Sequence, residues 1–278
     1  MDAAGNQIWF PTSFQELFSI WKQVPEALLC AGGTQFLRGQ ARHAPVFPRN
    51  ILSLNRLEEL HRITRTEQYL EIGAMVKLND LIKLGKAVPE VLAQCLLGIA
   101  GPQIRNLATI GGNICTSPCR LDATAPMIAL DAHYELRNAS AARWIAPSRF
   151  YSSDGSCFLG QQELLSRIRV PLDQWTYGAY TKYTSRETSI GSEVMVLMGR
   201  NQKNVLTDIR MVFAGDRVIH DKTGETLLIG KRLPLERKQV LMVVDHWKAH
   251  LASLYGEADL VQARLLNFIE STLLALAD

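Results

Sequence analysis

Ile104-Arg105-Asn106-Leu107-Ala108-Thr109-Ile110-Gly111-Gly112-Asn113-Ile114 is the stretch on which the reading of this chain turns. A second glycine pair lies upstream, where the apolar run Ala27-Leu28-Leu29-Cys30-Ala31 leads into Gly32-Gly33-Thr34. Glycine allows positive φ and lets the backbone approach a ligand with no Cβ in the way. Consecutive amides in such turns can point inward and form a nest for phosphate oxygens. Either pair alone could be a plain turn. Two nests on one chain suit a long ligand with a central pyrophosphate, such as a dinucleotide.

The bulk composition narrows the class. A chain of 278 residues can bury one large core or two to three smaller ones. Its net charge of +3 is too small, and its basic residues too scattered, to argue for nucleic acid. Apolar runs such as Val194-Met195-Val196-Leu197-Met198 fall far short of the roughly 20 residues a membrane helix needs. Met1-Asp2-Ala3-Ala4-Gly5-Asn6 lacks the basic and apolar regions of a signal peptide, so a cytoplasmic protein with no membrane partner is expected. The five cysteines, Cys30, Cys95, Cys115, Cys119 and Cys157, form no C-x-x-C pair, and disulfides are not expected. The Asn138-Ala139-Ser140 sequon then carries no meaning.

Along the chain, Thr12 or Ser13 caps a first helix reaching Trp21, with Phe14, Leu17, Phe18 and Trp21 at helical spacing. Strands are expected over 27–31, 50–54 and 69–73, and helices over 78–84 and 88–99. The glycine turn at 111–112 follows, then a short helix over 126–132 and strands over 134–137 and 164–170. Beyond Pro171 the pattern becomes antiparallel β: Tyr177, Ala179, Thr181 and Tyr183 alternate, as do Val205, Thr207, Ile209, Met211 and Phe213. Two amphipathic helices, over 235–254 and 259–276, close the chain. The organisation is α+β in three units: 1–56, 57–172 and 173–278, the first two sharing a ligand.

Several chemistries lack their motifs. No G-x-G occurs, which removes the Rossmann fingerprint, and no P-loop, G-x-S-x-G or H-E-x-x-H is present. His246 and His250, four apart on a helix, could share a metal but have no evident third ligand; two solvated helical histidines are the plainer reading. Cys115 and Cys119 are too few for an iron–sulfur cluster and read better as packing thiols. A chain with nests and little reactive apparatus leaves the chemistry to a cofactor. No catalytic residue and no metal ligand is assigned.

These residues resemble the FAD-binding medium subunits of molybdenum hydroxylases, the flavin subunits of bacterial xanthine dehydrogenase and carbon monoxide dehydrogenase. The resemblance spans nearly the whole chain. It runs through Phe10-Pro11-Thr12-Ser13-Phe14, the first glycine pair with Gln35-Phe36-Leu37, Leu54-Asn55-Arg56-Leu57, and Leu70-Glu71-Ile72-Gly73-Ala74. The opening stretch is its strongest part, followed by Asp122, Leu130-Asp131-Ala132, Tyr180-Thr181-Lys182-Tyr183-Thr184-Ser185-Arg186-Glu187 and Gly230-Lys231. The fold implied is the two-subdomain, PCMH-like flavin fold of the vanillyl-alcohol-oxidase type, plus a C-terminal antiparallel sheet with helices. The reductase acting on UDP-sugars in cell-wall synthesis has a similar flavin fold.

The resemblance also implies roles. Leu29, Cys30, Ala31, Gly32, Gly33, Thr34, Gln35 and Phe36 would wrap the FAD pyrophosphate. Ala108, Thr109, Gly111, Gly112, Asn113, Cys115 and Thr116 would meet the flavin and ribityl end, and Asp122 the ribityl or adenine-side hydroxyls. Ile99 and Ala100 would lie beside the adenine, and Leu165 and Lys182 near the isoalloxazine, where the lysine would favour the anionic reduced ring; an exposed strand lysine is its plainer reading. The chain departs from the family at Gln35, where an acid is usual, at Ser117-Pro118, one residue early, at Cys119-Arg120, and at Pro126, one residue late.

As an enzyme, such a chain is an oxidoreductase subunit. A large molybdopterin-binding subunit would oxidise the substrate, [2Fe-2S] clusters of a small subunit would relay electrons, and FAD here would pass them to NAD+ or another acceptor. The complex would be αβγ and doubled, and the isolated chain would expose an apolar docking surface. Xanthine or another purine is the first substrate choice; aldehydes, heterocyclic acids, nicotinate and carbon monoxide stay open. A self-contained flavin oxidase or reductase, or a scaffold subunit that has lost FAD, are the alternatives.

Overall fold

The hydroxyl of Ser13 accepts a hydrogen bond from the Glu16 amide at 3.2 Å, so the first helix starts where the Thr12-Ser13 pair predicts. The structure is a computed structural model, and it describes residues 7–38, 46–116, 122–152, 156–184, 192–215, 217–256 and 260–276. The N-terminal hexapeptide, Ser117, Pro118, Cys119, Arg120 and the 185–187 part of the family stretch lie outside these residues.

The first sheet is parallel. Strands β1 (Gln7–Trp9), β2 (Leu28–Cys30) and β3 (Asn50–Ser53) lie in the order β1-β3-β2, with α1 (Phe14–Gln23) crossing between the first two and α2 (Thr34–Arg38) following β2. A parallel pair needs such a crossover. Leu17, Phe18 and Trp21 of α1 bury against Leu52, Leu54, Leu57 and Leu60.

The second sheet is antiparallel, in the order β4-β5-β8-β6-β7. Its members are β4 (Ile63–Arg65), β5 (Tyr69–Gly73), β6 (His133–Arg137), β7 (Ala142–Ile145) and β8 (Leu164–Pro171). Between β5 and β6 run α3 (Leu78–Lys83), α4 (Glu90–Gly98), α5 (Pro102–Arg105), α6 (Ile110–Cys115) and α7 (Thr124–Ala129), and α8 (Pro147–Phe150) follows β7. Alternation sets its two faces. Leu70, Ile72, Tyr134, Leu136, Ile168 and Val170 enter the core. On the other face Arg169 pairs with Glu71 at 2.6 Å, and Arg167 Nη2 donates to Glu135 Oε1 at 2.9 Å. These are cross-strand neighbours by register.

The third sheet, β12-β11-β10-β9, contains β9 (Tyr177–Thr184), β10 (Ser192–Gln202), β11 (Val205–Ala214) and β12 (Val218–His220), with α9 (Lys222–Thr226), α10 (Arg237–Tyr255) and α11 (Leu260–Leu274) after it. Met195, Leu197, Met211 and Phe213 pack on Val240, Val243, Trp247, Leu265 and Ile269 of the two long helices. Val194, Val196, Met198, Val212 and Ala214 face the other way, into the core of the second sheet. Burial on both faces explains why the sequence over 194–198 is an unbroken apolar run rather than an alternation.

The expectations hold for most elements, and three need correction. The glycine pair at 111–112 is not a turn: it lies inside α6, which Thr109 caps by accepting from the Gly112 amide at 3.1 Å. His246 is not simply solvated: its Nε2 lies 2.5 Å from Asp221 Oδ2, with His250 Nδ1 at 3.9 Å from the same oxygen. Lys182 is not an exposed strand lysine: its half-buried side chain pairs with Asp122. No grouping of three metal-ligating side chains exists among the described residues, and no helix among them is long and apolar enough to cross a membrane.

Candidate functional site

The strand β2 stops at Cys30, and the chain turns through Ala31-Gly32-Gly33 directly into α2. Gly33 has φ of +68°, which only a residue without a Cβ adopts freely. Gly32 serves another need: a Cβ there would sit 2.0 Å from the carbonyl oxygen of Leu107. The first glycine turn is thus pressed against the segment that precedes the second. The amides at the start of α2 have no carbonyl one turn earlier within the helix.

The second glycine segment is used differently. The Ile110 amide donates to Val76 O and the Gly111 amide to Ala74 O, both at 2.9 Å, while Asn113 N donates to Thr109 O. With Gly112 N on the Thr109 hydroxyl, the four amides at the head of α6 are all engaged by the protein. This segment is not a second nest. It packs α6 tightly onto the residues after β5 and presents side chains instead.

Between the two lies a cleft of about 720 Å³, larger than two other cavities of about 540 and 210 Å³ and within the usual range for cofactor sites, about 300–1,000 Å³. Leu29, Cys30, Ala31, Gly32, Gly33, Thr34, Gln35 and Phe36 line one wall. Ala108, Thr109, Gly112, Asn113, Cys115 and Thr116 line another, and Ile99, Ala100, Asp122 and Lys182 complete it. Two expected residues do not line it. Gly111 is buried where a Cβ would come within 2.6 Å of Ala74, so its role is packing. Leu165, on β8, is 4% exposed in the core beneath α6. The sequence reading missed Leu28 and Ile104, which also line the cleft and stay 43% and 44% exposed. An apolar residue beside each glycine segment that no core position demands was the available signal.

The charged end of the cleft is a locked pair. Lys182 Nζ lies 2.6 Å from Asp122 Oδ2 and 3.0 Å from Gly98 O. Asn113 Oδ1 accepts from the Ala123 amide at 3.3 Å and ties the Asp122 backbone to α6. The two lining thiols are protonated: burial pushes Cys30 up from its usual range and pushes Cys115 much further. The lining therefore offers hydrogen bonds, one paired charge and apolar walls, but no poised nucleophile.

Residues 4–173 match the family described as the FAD binding domain in molybdopterin dehydrogenase. The carbon monoxide dehydrogenase medium chain of Hydrogenophaga pseudoflava is 30% identical over 236 residues, covering 82% of each chain. The xanthine dehydrogenase FAD-binding subunit of Escherichia coli O157:H7 is 33% identical over 168 residues, covering 59% of this chain and 57% of that one. In structure, the carbon monoxide dehydrogenase of H. pseudoflava superposes with a TM-score of 0.81 at 26% identity, covering 99% of this chain and 96% of the other. Quinoline 2-oxidoreductase of Pseudomonas putida 86, at 20% identity and a TM-score of 0.79, shares the fold.

Proposed function

The chain belongs to the family of FAD-binding domains of molybdopterin dehydrogenases, and from that premise we propose that it is the flavin station of a molybdenum hydroxylase complex, with FAD in the cleft between the two glycine segments. FAD is its cofactor, and it is an oxidoreductase subunit. The observation that carries the site is convergence. Residues scattered from 29 to 182 line one cleft, and of those the resemblance implied only Gly111 and Leu165 stand apart.

The residues fit the group. Gly33 and the amides of 33–36 offer donors to a pyrophosphate, and Gly32 keeps that turn against Leu107. Asp122 and Lys182 hold each other, so they contribute a fixed dipole rather than a free charge. That tempers the expectation that Lys182 stabilises an anionic reduced ring. Leu28, Phe36, Ile99 and Ile104 supply apolar walls that exclude water. Bound FAD supplies the exchange between one-electron and two-electron carriers. With Cys30 and Cys115 protonated by burial, this chain positions and shields the flavin rather than moving protons for it.

In this reading, a molybdopterin-binding large subunit oxidises the substrate and [2Fe-2S] clusters of a small subunit feed electrons to FAD, from which NAD+ or another acceptor takes them. A purine such as xanthine is the first substrate candidate. Relatives are named for carbon monoxide, xanthine, glyceraldehyde and nicotinate, which supports a substrate site on another chain.

The test is the visible spectrum of the purified full chain, followed by heat release and identification of the chromophore. FAD released in equal molar amount, and lost in Gly32→Ala, is the expected result. A colourless chain that takes up no added FAD, or a Gly32→Ala variant that binds it as well, would overturn the assignment of the cleft. Reoxidation of the reduced chain by NAD+ or by oxygen then identifies the acceptor.

A further inference from the structure

Ala100 lines the cleft at φ of +44°, a left-handed conformation that disfavours any residue with a Cβ. The neighbouring glycine, Gly101, is one position too late to relieve it. Arg105 accounts for its persistence. Its Nη1 lies 3.2, 2.9 and 2.6 Å from the carbonyl oxygens of Leu97, Ile99 and Ala100. The carbonyl between them, Gly98 O, accepts from Lys182. These four successive carbonyls belong to the end of α4 and the loop after it, where a helix leaves acceptors without intrahelical donors and favours positive charge. The buried Nε of Arg105 finds no partner among the described residues, so the contacts of this guanidinium are spent on that single loop.

We propose that Arg105 is a positioning residue of the flavin site, fixing Ile99 and Ala100 in the cleft wall through these carbonyls. Arg105 does not line the cleft. It acts from behind, and its own helix, α5, runs on into Ala108 and Thr109 on the adjacent wall. One side chain thereby sets the spacing between two walls. The proposal rests on the reading that FAD occupies the cleft.

The experiment compares the full chain with Arg105→Met, Arg105→Lys and the double variant Arg105→Met/Ala100→Gly. FAD affinity is read from flavin fluorescence on titrating deflavinated protein, and loop order from amide hydrogen exchange over 97–101. Arg105→Met is expected to bind FAD about tenfold more weakly, as when charge-assisted hydrogen bonds are lost, and to exchange faster in that loop. Arg105→Lys, whose ammonium carries three donors, stays within about threefold of wild type. The double variant recovers much of the loss, because glycine holds positive φ without a clamp. If Arg105→Met does not fold, the double variant must recover folding and FAD binding together.

Three results overturn the proposal: Arg105→Met binding FAD like wild type, Lys and Met variants losing affinity equally with no recovery in the double, or a double variant that stays unfolded. The Gly32→Ala variant separates this failure from failure of the cleft reading. Loss of FAD in Gly32→Ala with none in Arg105→Met sinks the clamp alone, whereas unchanged binding in Gly32→Ala sinks the cleft.

Discussion

The two glycine pairs look alike in sequence and differ in what their backbones do. Gly32-Gly33 closes a strand–turn–helix connection in which Gly33 takes φ of +68° and nothing crowds its missing side chain nearer than Cys30 Sγ at 3.9 Å. Gly111-Gly112 lies in a helix, and Gly111 is glycine because Ala74 leaves no room for a Cβ. Gly33 supplies a left-handed turn and Gly32 close packing on Leu107, whereas Gly111 packs on Ala74 inside a helix whose first amides are all engaged. A Gly-Gly pair is thus no evidence of a phosphate nest until its amides are accounted for. At 110–113 every one already has a partner within the protein.

The contrast predicts different losses. Gly111→Ala forces a Cβ to 2.6 Å from Ala74 Cβ and 2.7 Å from its carbonyl oxygen. It should cost about 2–4 kcal/mol of folding stability, read from the urea midpoint, while FAD affinity of the folded fraction moves little. An unchanged midpoint would erase the distinction. Gly33→Ala should cost less stability, about 1–2 kcal/mol for a left-handed residue. Its larger effect should fall on FAD, with affinity reduced about tenfold, and Gly33→Asn should lose less because asparagine tolerates that conformation.

The smallest expected effect lies on the far face of the second sheet, as a control that should touch neither pair. Burial pushes the Glu135 carboxyl up, but the hydrogen bonds from Arg167 and Ser166, with the charges of Arg167 and Arg137, outweigh it and hold it below the usual range. A depressed carboxylate stabilises the fold above its unfolded pKa of about 4.3, and that contribution is lost as pH falls through the lower folded value. Glu135→Gln should therefore destabilise by about 1 kcal/mol at pH 7, the gap to wild type closing in acid, with FAD affinity unmoved. A gap that widens in acid would reverse the sign of this account.

Local signals were legible and distant ones were not. The Ser13 cap and the spacing of Leu17, Phe18 and Trp21 announce α1 because both act within one helix. The strand β7 carries no sequence signal: Ala142 and Arg143 are exposed, Trp144 and Ile145 half-buried, with no alternation. The helices α2 and α5, of five and four residues, are too short to show a period. The helix α6 looks like a turn in sequence because the carbonyls that fix its first two amides, on Val76 and Ala74, come from the other side of α3. Much of the cleft was legible only through resemblance. Nothing in the alternation of β9 marks Lys182, whose partners Gly98 and Asp122 lie far back along the chain.

The second and third sheets share one core. Val194, Val196 and Met198 of β10 belong to the same buried cluster as Leu70, Ile72, Ile168 and Val170, with α7 packed against β10, and Lys182 of β9 lines the cleft. The family match ends at residue 173, short of Lys182, Val194, Val196 and Met198. A chain cut there would keep both glycine pairs and still lack Lys182 in the cleft lining and the β10 residues of the shared core. Because they share buried residues, the second and third sheets should lose structure together, read as coincident urea transitions from probes placed in each.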